Sequence, residues 1–252
     1  MTDDVDTVAE GGLDTEWGAI PGADEIRRIG LSNALREVTA PLHRRAERAG
    51  VISDIVRGRS SRSAYALLLR NLHLVYAEIE RGLERHRASP AVRLIVLPEV
   101  YRADAIARDL ETLYGSAEAA DAVPVLPEGT AYAEAVRASA EGDGVRLIGH
   151  AYTRYLGDLS GGQTVSQVLA KTLGLDAGAR NLYRFAGIDG LDAFKQRYRD
   201  AIDRAAFETD RPDAILAEGM RAFRFNIALF WAVQDAVGGA SEPSGEPAPP
   251  PV

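Results

Sequence analysis

The stretch YLGDLSGGQ, residues 155–163, places Gly157, Gly161 and Gly162 around one carboxylate, Asp158. The residues on either side, from Gly144 to Leu173, read as helix. A glycine inside a helix costs about 1 kcal/mol relative to alanine, so three in such a short span need a reason. Gly157 and Gly161 are four apart and share one helix face. Without side chains there, a flat ligand can approach the backbone closely, and Asp158 can hold water beside it. The same spacing also suits two helices packing through small residues, with Asp158 in solvent.

His43 and Glu47 form a second pair, four apart on one helix. A metal-bound histidine usually has its other ring nitrogen held by a carboxylate, a carbonyl or water, and this pair fits that pattern. It fits equally well a solvated pair on a helix rich in Arg and Glu. The third group is Lys195, Tyr198 and Arg199, which can converge on one side of a helix and meet an anionic ligand, the arginine offering a planar fork for a carboxylate. A plain basic face has the same pattern. His73, His86 and His150 stand outside these groups and read as core or surface residues.

Helices must position all of these. From Leu31 to Val237 apolar residues recur at three- and four-residue spacing, with almost no alternating strand pattern. The clearest helices are expected over 62–86, 101–115 (closed by Gly115), 190–207 and 212–237, and Thr130 is expected to cap one running to Glu141. Ser32 to Ala49 also reads as helix, but Pro41 falls inside it, so a kink or a fresh start is expected within a turn of His43. The fold class expected is all-α: one irregular bundle of about eight helices over 31–238.

The ends have a different composition. The chain has 252 residues and a net charge of −8. Residues 1–30 hold eight acidic and two basic side chains, giving −6, and residues from 239 add Glu242 and Glu246, giving −2, so the region between them is neutral (−8 + 6 + 2 = 0). Residues 1–30 are therefore read as an acidic, unstructured extension, and 239–252 as a Pro/Gly/Ser tail unable to form a core. No basic footprint calls for nucleic acid. No signal-peptide pattern opens the chain and no long apolar run suggests a membrane anchor, so a cytoplasmic location is expected. With no cysteine, thiolate chemistry is excluded and any tight transition-metal site must lean on the four histidines.

AYTRYLGDLSGGQ (151–163) resembles the signature of the biliverdin-forming heme oxygenases. LREVTAPLHRRAERA resembles that family's proximal helix, and LHLVYAEIE, YRADAIARDLETLYG, FKQRYR and AFRFNIALF are similar to further family segments in the same order, so the likeness spans 31–237. It implies an all-α fold with heme held between proximal and distal helices. His43 then matches the proximal ligand to heme iron, and Glu47 the carboxylate on its other ring nitrogen. Gly157 and Gly161 match the distal glycines that lie against the heme, and Asp158 the aspartate that organises ordered water on that side. Tyr76, Arg154 and Asn226 match outer members of its network. Arg36, Tyr152, Lys195 and Arg199 match groups that meet the propionates, with Arg36 where lysine is frequent. Thr153 and Phe223 match residues lining the pocket. Pro41 departs from the family pattern.

The resemblance further implies that heme is both cofactor and substrate. It would be opened with O2 and electrons to biliverdin, carbon monoxide and free iron, with alpha-meso cleavage implied by Lys195 and Arg199. No flavin or dinucleotide fingerprint is present, so an external electron donor is expected, a ferredoxin with its reductase or a similar redox partner. A heme carrier or sensor on the same fold is the alternative. It would keep His43 but would have no use for Asp158, Tyr76, Arg154 and Asn226 together.

Overall fold

The computed structural model describes residues 20–238. Among these there is no strand. The helices are α1 (Ala23–Ile29), α2 (Leu31–Ala46), α3 (Gly50–Val56), α4 (Arg62–Arg85), α5 (Ala103–Tyr114), α6 (Ala117–Asp121) and α7 (Pro127–Ser139). They continue with α8 (Leu147–Ala151), a π-helical segment (Tyr152–Leu156), α9 (Gly157–Ser160), α10 (Gly162–Leu173), α11 (Leu191–Ala205) and α12 (Pro212–Gly238). Short 3-10 turns fill the connections. The bundle thus has more segments than the eight expected. The stretch read as one helix from Gly144 to Leu173 is divided in the middle, and helices of five to seven residues sit in spans that read as loop.

The long α12 forms the spine and packs against α2, α3, α7 and α8. Its buried face runs from Ile215 and Leu216 through Phe223 and Ile227 to Phe230 and Val233, the three- and four-residue spacing that buries one stripe of a helix. α4 starts where Ser61 accepts from the Ala64 amide, and its inner face buries Tyr65, Leu69, Leu72, Tyr76 and Ile79. α5 ends at Gly115 in the left-handed region (φ 90°), as its sequence predicts. α7 begins three residues before the expected cap, because Pro127 supplies a ready first turn; Thr130 lies inside the helix.

Pro41 neither breaks α2 nor starts a new helix: one helix runs from Leu31 to Ala46. The carbonyl that loses its partner belongs to Glu37, which is exposed and can bond water instead. α1 was not expected. Ile26 is fully buried, and the Arg27 guanidinium donates to the Ala206 and Thr209 carbonyls at 3.1 and 3.0 Å. The acidic segment 1–30 therefore contributes a packed helix at its end. Residues 1–19 of that extension, and the tail 239–252, lie outside the described residues.

Candidate functional site

α8 is pinned before the glycine-bearing stretch begins. A Cβ on Gly149 would lie 2.6 Å from the Gly219 nitrogen and 2.7 Å from the Ile215 carbonyl of α12, so the two helices cross backbone to backbone. The Thr153 hydroxyl donates to the Gly149 carbonyl at 3.0 Å and faces the Gly219 carbonyl at 3.4 Å. Thr153, expected to line a pocket, thus directs its hydroxyl at this crossing. The chain then widens into the π segment, a distortion that often marks functional sites.

Beyond it, the three glycines separate by role. Gly157 and Gly161 have ordinary helical backbones (φ −61° and −75°), so neither is there for conformational freedom. A Cβ on Gly157 would meet nothing within 4 Å, and one on Gly161 only the Gly157 carbonyl at 3.7 Å. Both are exposed. Helix packing through small residues therefore does not explain them. It does explain Gly162, where a Cβ would strike the Tyr183 ring at 2.6 Å.

Asp158, between them, points inward and is buried. The Tyr76 hydroxyl donates to its Oδ2. Arg154 donates to the Tyr76 oxygen from Nε (3.0 Å) and Nη2 (2.8 Å), and to Asn226 Oδ1 from Nη1 (2.8 Å); Arg154 Nη2 also lies 3.5 Å from Asp158 Oδ1. Helix α4 and the π segment thus bring Tyr76 and Arg154 onto one carboxylate, and α12 holds Asn226 behind Arg154. Asn226 Nδ2 continues the chain to the Tyr132 hydroxyl at 3.5 Å, a member with no local signal in the sequence. Burial pushes the Asp158 carboxyl above its ordinary range, and Arg154, the Tyr76 hydroxyl and Arg102 only partly offset this. Burial likewise raises Tyr76, keeping it a neutral donor.

On α2, His43 is exposed, its Nδ1 3.6 Å from Glu47 Oε1, which leaves Nε2 free to face outward. Its ring lies 5.8 Å from that of Phe223 in an edge-on contact. α2 and the π segment meet where the Thr39 side chain reaches the Tyr152 hydroxyl, near Arg36 and Arg199. From this junction His43 is one turn along α2, and Gly157 just over one turn along the other segment. Lys195 pairs with exposed Asp192 on its own helix at 2.7 Å. Tyr198 does not join Lys195 and Arg199. It is fully buried, stacked on Phe194 at 6.4 Å, because its position falls on the inner stripe of α11.

His150, read as a core or surface residue, lies in the core. It is fully buried, with Nε2 3.0 Å from Glu218 Oε1 and 3.2 Å from Ser139 Oγ. Glu218 also faces Arg146 and Arg221 at 3.8 and 3.7 Å. His150 and Glu218 are 68 residues apart, so no spacing rule could have paired them.

An all-helical bundle with a bare glycine face, a buried carboxylate network behind it and an outward-facing imidazole is a protein shaped for a flat ligand. The family model for heme oxygenase matches residues 29–232. Heme oxygenase 1 of Nostoc sp. is 34% identical over 201 residues, 79% of this chain and 84% of the relative. Human heme oxygenase 1 is 31% identical over 208 residues, 81% and 72%. Among solved structures, the heme oxygenase of Leptospira interrogans superposes with a TM-score of 0.76 at 34% identity, covering 81% of this chain and 99% of that one. Heme oxygenase-1 of Synechocystis sp. in complex with heme gives 0.77 at 32% identity, covering 84% and 97%. The chain belongs to the heme oxygenase family.

Proposed function

We propose that this protein binds heme as its substrate and cleaves it oxidatively to biliverdin, carbon monoxide and free iron. The observation that carries the reading is the space over Gly157 and Gly161. Two glycines in plain helical conformation, each giving up about 1 kcal/mol of helix propensity, leave a face that no other part of the described chain fills. The residues present fit heme: an imidazole with a free Nε2 for iron, a flat bare wall for the macrocycle, and Arg36, Tyr152, Lys195 and Arg199 for the propionates. Bound heme would supply the iron that takes up O2 and the carbon that is oxidised.

The chain's own residues do the rest. His43 holds the substrate from the proximal side, oriented by Glu47 on Nδ1 and by the Phe223 edge. A neutral imidazole, in a chain without cysteine, does not push electron density as a thiolate ligand would. Gly157 and Gly161 set how low the distal wall can sit. Asp158 is the proton-handling group of the distal side, acting through ordered water. Its buried position raises its proton affinity, and Tyr76, Arg154 and Asn226 fix its direction. Electrons come from an external protein, a ferredoxin with its reductase fitting best. Lys195 and Arg199 seat the propionates for alpha-meso opening, and residues 31–238 form the heme oxygenase domain.

The test is to add one equivalent of hemin, then ascorbate or a ferredoxin system in air with catalase. Loss of the Soret band with biliverdin and carbon monoxide appearing is the expected result. A stable heme spectrum with neither product under both donors would mean a carrier or sensor instead.

A further inference from the structure

The helix that carries His43, α2, begins without a cap of its own. Gly30 stands at its N-cap position with no side chain to offer, and the first turn holds no acid. The early amides of a helix have no partner within it and are commonly met by a Ser, Thr, Asp or Asn side chain at the cap. Here the acceptor comes from another helix. The Ser32 amide donates to Asp203 Oδ1 of α11 at 2.7 Å, across 171 residues of sequence. Ser32 is buried there and Asp203 half-buried. The carboxylate also complements the positive end of the α2 dipole.

Gly30 lets the carboxylate lie over the helix end. A Cβ there would stand 3.2 Å from Asp203 Oδ1 and 3.3 Å from its Cγ and Oδ2, and the φ of 89° is one that only glycine adopts freely. The same elbow is fastened a second time. Arg27, on the α1 side of Gly30, donates to the Ala206 and Thr209 carbonyls just past Asp203. The chain joining α1 to α2 is thus tied on both sides to the C-terminal end of α11. These ties lie beside the groups meant for the propionates. Arg36 is four residues after Ser32 on α2, and Arg199 four residues before Asp203 on α11, so each stands one turn from the contact on its own helix. Arg36 and Arg199 both act on the Tyr152 hydroxyl. Lys195 is one further turn along α11, and His43 is about three turns from Ser32, on the same stripe of α2.

We propose that Asp203 is a positioning residue for the substrate: by capping α2 from α11 it sets the register between Arg36 and His43 on one helix and Lys195 and Arg199 on the other, and with it the rotation of heme in its pocket. The inference rests on the heme oxygenase reading for what is seated between the two helices. Asp203 acts through the helices and not by contact with the ring. A flat ligand gripped at its iron and at its propionates by groups on two helices turns when one helix moves against the other. A small displacement of this kind far from the chemistry is enough to change which ring carbon is presented.

The experiment compares wild type with Asp203→Ala, which has no acceptor, and Asp203→Asn, which keeps Oδ1 and loses the charge. Circular dichroism checks that each is folded; if Asp203→Ala is not, Asp203→Ser, whose short side chain stays polar, takes its place with the same expectations. In the heme-free protein the Ser32 amide should exchange with solvent about tenfold faster in Asp203→Ala, the scale of one lost hydrogen bond to a charged group, and much less so in Asp203→Asn. With hemin and cyanide added, proton NMR reads the heme methyl resonances, whose positions follow the rotation of the ring relative to the His43 imidazole. They should shift in Asp203→Ala and keep their wild-type positions in Asp203→Asn. With hemin and ascorbate, Asp203→Ala should give a mixture of biliverdin isomers where wild type and Asp203→Asn give one. Wild-type methyl positions and isomer ratio in folded Asp203→Ala would overturn the proposal. So would a methyl shift of equal size in Asp203→Asn, which would make the charge the cause and not the cap. Methyl resonances that move in Asp203→Ala alone, while wild type forms no biliverdin, would uphold the positioning role and sink the heme oxygenase reading.

Discussion

Gly149 on α8 and Gly219 on α12 touch through their backbones: a side chain on the first would sit 2.6 Å from the nitrogen of the second. Eight residues further on, Gly157 has nothing within 4 Å of the same added atom. One helical stretch thus holds a glycine the fold requires and a glycine that the fold leaves idle. The contrast can be measured. Gly149→Ala should destabilise the protein by about 1–3 kcal/mol through overpacking, seen as a lower midpoint in urea. Gly157→Ala should leave the heme-free protein as stable as wild type or up to about 1 kcal/mol more stable, while weakening hemin binding in a spectral titration. A Gly157→Ala protein that unfolds early yet binds hemin normally would contradict this account of the glycine face.

Asp158 carries the second prediction. Its folded-state pKa lies above the unfolded value because burial penalises the charge. The sign follows from proton counting. Just above the unfolded pKa the native state holds the extra proton, so the stability from this group is present below that pH and is lost as pH rises through the folded pKa. Asp158→Asn should remove that downward slope from the stability–pH curve. It should also cut biliverdin formation by about 10²-fold or more, the scale of a lost proton-transfer group, with the hemin spectrum retained. Tyr76→Phe should lower the rate less, because Arg154 still lies within 3.5 Å of the carboxylate.

Glu218 has the opposite sign. Burial alone would raise its pKa, but the His150 hydrogen bond and charge, with Arg221 and Arg146, bring it below the ordinary range. Its stabilising contribution is present above the unfolded pKa and is lost as pH falls through the depressed folded value. Glu218→Gln removes the carboxylate that pairs with the buried His150 ring and faces Arg146 and Arg221, and should cost about 1–3 kcal/mol near neutral pH. The gap to wild type should shrink in acid, as thermal midpoints taken from pH 7 down to 4 would show.

Lys195 and Arg199 bear on where the ring opens. Lys195→Ala with Arg199→Ala should preserve His43 ligation but change the ratio of biliverdin isomers separated by chromatography. Asp192 now holds the Lys195 ammonium at 2.7 Å and is almost fully solvent-exposed. Asp192→Asn frees that ammonium and should tighten hemin binding only a few-fold, the scale of a surface pair. An unchanged isomer ratio in the double variant would remove these two residues from the control of regiochemistry.

Some of this architecture was legible before any coordinates. The periodic helices 62–86, 190–207 and 212–237 stand where apolar spacing put them, because long amphipathic stripes have one good solution in water. The segments that differ from expectation are those where local preference competes with a neighbour. α1 forms in an acidic stretch because Ile26 finds a pocket and Arg27 finds two carbonyls on a distant turn. Tyr198 turns into the core rather than toward Lys195, since only packing decides which stripe of α11 faces inward.

Residue types and short-range order settled what this protein has to work with: a histidine with a carboxylate one turn on, glycines around an aspartate, no thiol, and the family motif that joins them. Which of three nearby glycines packs and which stands open, the convergence of Tyr76 and Arg154 on Asp158 with Asn226 behind Arg154, and the pairing of His150 with Glu218 were decided only by the tertiary structure. Spacing along one helix can place side chains on a face. Contacts between groups 68 to 82 residues apart depend on where whole helices cross.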